Sequence, residues 1–109
     1  MTRFIITEQN DASELQLHTG DELVVRLEAL PGAGYGWQVA RNEGGVLRGS
    51  GEPFSEQSGQ RTMGGPERQV FTFVVAAAGT GRLDLEYRRP WEKTAPALKS
   101  FSVRLLATV

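Results

Sequence analysis

Alternation of apolar and polar residues is the feature of this sequence that most constrains its fold. It is clearest within residues 22–29, 82–88 and 100–105, where every second residue is apolar. Successive side chains of a β-strand face opposite ways, so each apolar set predicts one buried face. No stretch of a dozen residues keeps a clean helical period without glycine or proline. The chain is therefore predicted to be all-β.

The thirteen glycines and five prolines lie mostly between the alternating runs, where they favour turns. The predicted strands cover residues 3–8, 14–18, 22–29, 35–41, 46–48, 53–57, 68–77, 81–88 and 98–107. Several short strands at close spacing predict a sandwich or a barrel, and an immunoglobulin-like antiparallel β-sandwich is the preferred architecture. The length of 109 residues predicts a single domain spanning 1–109.

Composition excludes several classes of function. Twelve Lys plus Arg face thirteen Asp plus Glu, which argues against a basic surface for nucleic acid or anionic membranes. No cysteine is present, which excludes disulfides, thiolate nucleophiles and cysteine-based metal sites. No apolar segment approaches the roughly 20 residues needed to span a bilayer. We expect no nucleic-acid partner, no membrane insertion, no metal and no cofactor.

The location of the protein depends on its true N-terminus. The apolar run within residues 1–8 is too short for a secretory signal, and the acidic Glu8 comes soon after it. A cytoplasmic location is expected if Met1 is native, and a periplasmic or secreted one if a leader was removed. The lack of cysteine fits a reducing compartment.

Catalytic side chains are scarce. His18 is the only histidine, and its strand-like surroundings predict a surface or edge position. No two acidic residues have a spacing that suggests a glycosidase pair or a metal site. The glycines at 32, 34 and 36 are not a dinucleotide fingerprint, because no helix follows them to hold a pyrophosphate. We therefore expect a non-enzyme.

Three turn-rich segments, at residues 30–37, 58–66 and 88–93, remain to be explained. Each is compatible with an ordinary tight turn, but glycine also permits close approach of a partner, and proline pre-sets φ. Connections in a sandwich alternate between its two ends, so these three are predicted to meet at one end. Trp37 alternates with Val39 and is predicted to lie in the core. A tryptophan such as Trp91, in a polar segment, either folds back over a sheet edge or is exposed for a partner.

These segments carry a family resemblance. The sequence from Leu30 to Trp37, LPGAGYGW, resembles the Asn-Pro-Thr-Thr-Gly-Tyr-x-Trp motif of the chagasin family of cysteine protease inhibitors. Arg89-Pro90-Trp91 matches the Arg-Pro-Trp motif of that family, and the segment 62–65 resembles its Gly-x-Gly-Gly loop. Order and spacing agree, and the surrounding strands extend the likeness over nearly the whole chain.

The resemblance implies a protein inhibitor of papain-like cysteine proteases that blocks the active-site cleft with loops 30–37, 61–66 and 88–93. Loop 30–37 would sit centrally, over the protease cysteine and histidine, with the other two on either side. Glycine and alanine replace the threonine pair of the family motif, so the central loop would bind through backbone groups. The protease-binding residues implied in this way are Pro31, Gly32, Ala33, Gly34, Tyr35, Thr62, Met63, Gly64, Gly65, Arg89, Pro90 and Trp91.

Two other classes of function stay open at this point. Aromatic side chains on sandwich loops also stack on sugar rings, which would make the chain a carbohydrate-binding or protein-binding module without inhibitory activity. An exposed sheet edge could instead pair with a partner in an assembly. A monomer is the expected state for an inhibitor of this size.

Overall fold

A computed structural model describes residues 2–29, 34–57, 67–92 and 94–109, which form two β-sheets packed face to face. The strands are β1 (Arg3–Ile6), β2 (Ser13–His18), β3 (Glu22–Ala29), β4 (Gly36–Glu43), β5 (Leu47–Gly49), β6 (Phe54–Gln57), β7 (Glu67–Val75), β8 (Gly79–Arg88) and β9 (Lys99–Thr108). A single 3₁₀ turn occupies Glu8–Asn10 within the described part of the chain. Each strand overlaps one that the alternation predicts, and the all-β prediction is confirmed.

Strand pairing follows a sandwich topology. The first sheet has the order β1-β3-β7-β5, with β6 also paired to β7, and the second has the order β2-β9-β8-β4. Most neighbours are antiparallel, as expected. Two pairs, β1 with β3 and β2 with β9, are parallel, and both place an N-terminal strand at a sheet edge.

The 3₁₀ turn carries the chain from the edge of one sheet to the edge of the other. The Thr7 hydroxyl accepts a hydrogen bond from the backbone N–H of Gln9 (3.4 Å), and the Asn10 side chain accepts one from the N–H of Thr7 (3.0 Å). This reciprocal capping satisfies N–H groups that the short turn leaves free. Ala12 then adopts a positive φ of 64° and donates its N–H to the carbonyl of Ser102 (2.7 Å). The crossing is therefore fixed by local bonds.

The core lies between the sheets and is built by the alternating apolar residues. Its largest fully buried side chains are Phe101, Leu17, Leu23, Leu27, Leu83, Leu85, Leu105, Val25, Val46, Val75 and Val103. Trp37 is only 6% exposed and belongs to this cluster, which confirms its predicted core position. Burial of this apolar surface is the main force that holds the sheets together. The result is a stiff platform whose ends carry the loops.

A buried carboxylate closes the end of the sandwich that carries the turn between β2 and β3. We call this end the Asp21 pole. Asp21 is 4% exposed, and its side chain accepts hydrogen bonds from the backbone N–H groups of His18 (2.8 Å) and Thr2 (3.0 Å). These bonds favour the charged form and lower the pKa of Asp21 below its ordinary value. The His18 side chain itself is 67% exposed, in agreement with its predicted surface position.

Within the described ranges, no helix is long and apolar enough to cross a membrane.

Candidate functional site

The strand register brings the ends of the three predicted loops together. In the first sheet, Glu67 at the start of β7 pairs with Ala29 at the end of β3 and with Gln57 at the end of β6. In the second sheet, Gly36 at the start of β4 pairs with Arg88 at the end of β8. All three connections therefore leave from one end of the sandwich, the end opposite the Asp21 pole.

Five of the twelve residues predicted to bind a protease lie within the described part of the chain. We call this set the rim: Gly34, Tyr35, Arg89, Pro90 and Trp91. The other seven, Pro31, Gly32, Ala33, Thr62, Met63, Gly64 and Gly65, lie outside the described residues. The rim joins the central loop, before β4, to the loop that follows β8.

An aromatic stack rises from the core to the rim. The Trp37 ring lies 5.2 Å from the ring of Tyr87 between centroids, tilted by 43°, and the Tyr87 ring stacks on Tyr35 at 5.5 Å and 21°. Tyr87 is 4% exposed, whereas Tyr35 is half-buried and packs against the core cluster. Offset aromatic pairs of this kind contribute about 0.5–1.5 kcal/mol each beyond their buried area. The stack holds the foot of the central loop in place.

Arg89 extends this stack across to the neighbouring loop. Its guanidinium lies over the Tyr35 ring, 4.7 Å from the centroid, and its Nη1 pairs with Oε1 of Glu92 at 3.1 Å. The backbone N–H of Glu92 also donates to the Arg89 carbonyl (3.0 Å), which closes a tight turn around Trp91. An arginine over an aromatic face is attracted by the negative ring surface. The cation therefore links loop 88–93 to the central loop.

Trp91 is the most exposed aromatic side chain of the rim. It is 67% exposed, although tryptophan usually buries most of its surface. Its indole lies against Gly34, which has a positive φ of 80°. A broad apolar ring held at the tip of a short turn is well suited to anchor a protein partner. Of the two predicted positions for Trp91, exposed or folded back over a sheet edge, the structure shows the exposed one.

The edge strand β4, which follows the central loop, is tied to the opposite sheet at the base of the rim. The backbone N–H of Trp37 donates to the side-chain oxygen of Gln69 (2.7 Å), and its indole N–H donates to the carbonyl of Glu28 (3.0 Å). Gln69 lies on β7 and Glu28 on β3, so both bonds cross between the sheets. These cross-sheet bonds fix the angle at which the central loop leaves the sandwich.

Three residues that support the rim have no role in the sequence-based site: Tyr87, Gln69 and Glu92. Two of them carry a signal in the strand pattern. Tyr87 continues the inward set of Leu83 and Leu85, and Gln69 is a polar residue at an inward position of β7. A polar residue on a buried face needs a hydrogen-bond partner, which here is Trp37. For Glu92, the sequence signal is limited to its position three residues after Arg89, a spacing that allows an ion pair.

No group of three or more His, Asp or Glu side chains in the described ranges could hold a metal ion. Like Asp21, Asp84 has an altered pKa, and it lies on the outer face of the second sheet. Burial opposes its charge, but hydrogen bonds from Ser102 and Arg82, together with the charge of Arg41, outweigh burial and lower the pKa of Asp84. This network braces the sheet and lies away from the rim.

Comparison with known proteins agrees with the geometry. The model of the chagasin family, described as "Chagasin family peptidase inhibitor I42", matches residues 16–105. The chain belongs to the chagasin family. Membership makes it an inhibitor of cysteine proteases and not an enzyme.

The chagasin-family assignment is supported by relatives along nearly the whole chain. Amoebiasin-2 of Entamoeba histolytica is 26% identical over 98 residues, which cover 90% of this chain and 80% of that protein. The crystal structure of the cysteine protease inhibitor EhICP2 from Entamoeba histolytica has a TM-score of 0.86 at 23% identity, with 97% and 96% of the two chains covered.

Two further solved structures extend the likeness. The solution structure of Amebosin has a TM-score of 0.74 at 25% identity and covers 96% of this chain and 97% of its own. PbICP-C, solved in complex with falcipain-2, has a TM-score of 0.65 at 18% identity, with 96% and 88% covered. These similarities confirm the immunoglobulin-like sandwich of the chagasin type. The roles of the individual rim residues stay a prediction.

Proposed function

We propose that the protein inhibits papain-like cysteine proteases by inserting its rim, together with residues 30–33 and 61–66, into the active-site cleft. In this arrangement the central loop lies over the catalytic cysteine and histidine, and the other two loops contact the cleft on either side. Family membership supports the target class. The complex of PbICP-C with falcipain-2 shows that a protein with the same fold binds such a target.

The observation that carries the mechanism is Trp91, an exposed indole that lies against Gly34 beside the half-buried Tyr35. Its exposure leaves a large apolar surface for a partner, and the contacts of Tyr35 with Arg89 and Tyr87 hold the end of the neighbouring loop at the core. Preformed loops lose little conformational freedom on docking, which favours tight binding. An interface of about 1,600 Å² is expected for such a complex.

The central loop has a composition suited to backbone recognition. Gly32 and Ala33 stand where the family motif has two threonines, so no side-chain hydroxyl is available at these positions. Small residues let the main chain approach the protease closely, and its N–H and C=O groups can then pair with the walls of the cleft. We therefore assign recognition at the centre to backbone groups and apolar anchoring to Trp91.

Resistance to cleavage follows from geometry. A cysteine protease must bring its sulfur to about 3–3.5 Å from a carbonyl carbon, in line for attack. A rigid loop can fill the cleft without offering any carbonyl in that alignment. The protein then behaves as an inhibitor and not as a substrate.

A titration against papain tests this proposal. Papain of known active-site concentration is mixed with increasing amounts of the protein, and residual hydrolysis of a fluorogenic peptide is recorded at once and after several hours. The proposal expects stoichiometric loss of activity that persists, with the inhibitor recovered intact by mass spectrometry. Absence of inhibition at micromolar protein, or recovery of activity with cleavage between residues 31 and 36, would contradict it.

A further inference from the structure

We propose that Gly34 is a positioning residue that acts through Trp91, so that the central loop and the Trp91 loop form one preassembled binding surface. The proposal rests on the inhibitory function proposed above and assigns a task to two residues of the same rim. Its basis is the contact between a backbone position in one loop and an aromatic ring in another.

The space beside Gly34 is filled by the indole. A Cβ atom at position 34 would lie 2.5 Å from Cη2 of Trp91, so the ring would have to move, and 3.3 Å from Cζ2, which is a tight contact. Both atoms belong to the six-membered part of the indole. Glycine therefore allows the ring to rest in this position against the central loop, and the contact is a second reason for glycine besides the positive φ of 80°.

A second contact links the same two loops one residue further along. Arg89 lies over the ring of Tyr35, and its guanidinium also pairs with the carboxylate of Glu92. Residues 34 and 35 of one loop thus contact residues 91 and 89 of the other. Two adjacent contacts fix both the separation and the relative rotation of the loops, which a single contact could not do.

This packing gives the indole two roles: one part of the ring contacts Gly34, and the rest is available to the protease. Part of its benzo ring contacts Gly34, yet the side chain stays 67% exposed, so most of its surface is free for the protease. A free tryptophan on a flexible turn would lose rotational freedom on binding, whereas an indole already docked on Gly34 would not. We infer that Gly34→Ala weakens inhibition by displacing Trp91.

A double-mutant cycle separates this effect from backbone strain. The inhibition constant for papain is measured for the wild type, Gly34→Ala, Trp91→Phe and the double variant. Alanine at a positive φ is strained whatever residue stands at 91, whereas the steric conflict requires the outer indole atoms Cη2 and Cζ2, which the shorter phenylalanine side chain lacks. We expect Gly34→Ala to raise the inhibition constant by about tenfold or more in the wild type and only about two- to threefold in the Trp91→Phe background.

A control at the opposite pole checks for effects on stability. Gly20 has a φ of 90° and no atom within 4 Å of its would-be Cβ, so Gly20→Ala introduces strain without a steric conflict. This variant should unfold more readily than the wild type and inhibit papain equally well. If it weakened inhibition as much as Gly34→Ala does, the effect at residue 34 would be one of general stability, and the positioning role would be wrong.

NMR of the free protein gives a readout that does not need a protease. An indole packed on Gly34 predicts a nuclear Overhauser contact between the Gly34 Hα protons and the Trp91 ring, and ring-current shifts of those protons that vanish in Trp91→Ala. Absence of the contact, or equal losses from Gly34→Ala in both backgrounds of the cycle, would overturn the proposal. Failure of the wild type to inhibit papain would instead remove the proposed function, and the positioning role with it.

Discussion

Replacement of Trp91 by alanine should weaken inhibition strongly while leaving the fold intact. A tryptophan side chain offers roughly 250 Å² of surface, and the 67% that is exposed in the free protein corresponds to about 170 Å². At about 25 cal/mol per Å², complete burial of this area in a complex is worth at most about 4 kcal/mol. If half of it becomes buried, Trp91→Ala loses about 2 kcal/mol, which is roughly a 30-fold rise in the inhibition constant.

The assay is papain inhibition at fixed ionic strength, paired with urea unfolding of the same samples. Because Trp91 is largely exposed, its removal should change the free energy of unfolding by no more than about 0.5 kcal/mol. Leu106→Ala is the matched control, since Leu106 is also an exposed apolar residue (37%), on β9 at the end far from the rim. An unchanged inhibition constant for Trp91→Ala, or an equal loss for Leu106→Ala, would refute the anchoring role.

Three other outcomes follow from the contacts described. Gln69→Leu removes the acceptor for the Trp37 N–H and should lower the free energy of unfolding by about 1–3 kcal/mol in urea titrations. Gln69→Glu keeps an acceptor and should lose less stability. Equal losses of stability in the two variants would argue against this hydrogen bond. Arg89→Lys keeps the charge but loses the guanidinium over the Tyr35 ring, so the inhibition constant for papain should rise by about two- to fivefold, and an undiminished affinity would contradict the role of this contact. The pKa of Asp21 is lower in the folded state than in the unfolded chain, so its charged form stabilises the fold above about pH 4, and this contribution is lost as the pH falls through the folded value. Thermal melts between pH 2 and 7 should therefore show a steeper acid loss for the wild type than for Asp21→Asn, and parallel curves would contradict this.

The strands could be predicted because the alternation is a direct record of which side chains face the core. Leu83, Leu85 and Tyr87 all proved to be buried, as their period required. Alternation does not indicate which strands are neighbours, so it could not predict the parallel pairing of β2 with β9. The predicted first strand also ran two residues too far. It ends at Ile6 because Thr7 and Asn10 cap a 3₁₀ turn, a local bond pattern that outweighs strand propensity.

The sequence could predict the residues of the candidate site that belong to short motifs. It could not predict the contacts between distant residues that support them. Pro90 and Trp91 stand out in the sequence, and the structure places both on the surface of the expected end. Tyr35 was expected to face a protease, yet it is half-buried and also serves as a support between Tyr87 and Arg89. That second task arises from residues more than 50 positions away in the chain, which no local pattern could reveal.

The position of β9 has a consequence for how this domain folds. It occupies an interior place in the second sheet, between β2 and β8. Ser13 pairs with Val103, so β2 joins the sheet only through a contact between residues that are far apart in the chain. Pairing over such a long separation closes slowly. Until β9 is in place, β2 and β8 each expose an unpaired strand edge to other chains, so refolding at high protein concentration should compete with aggregation.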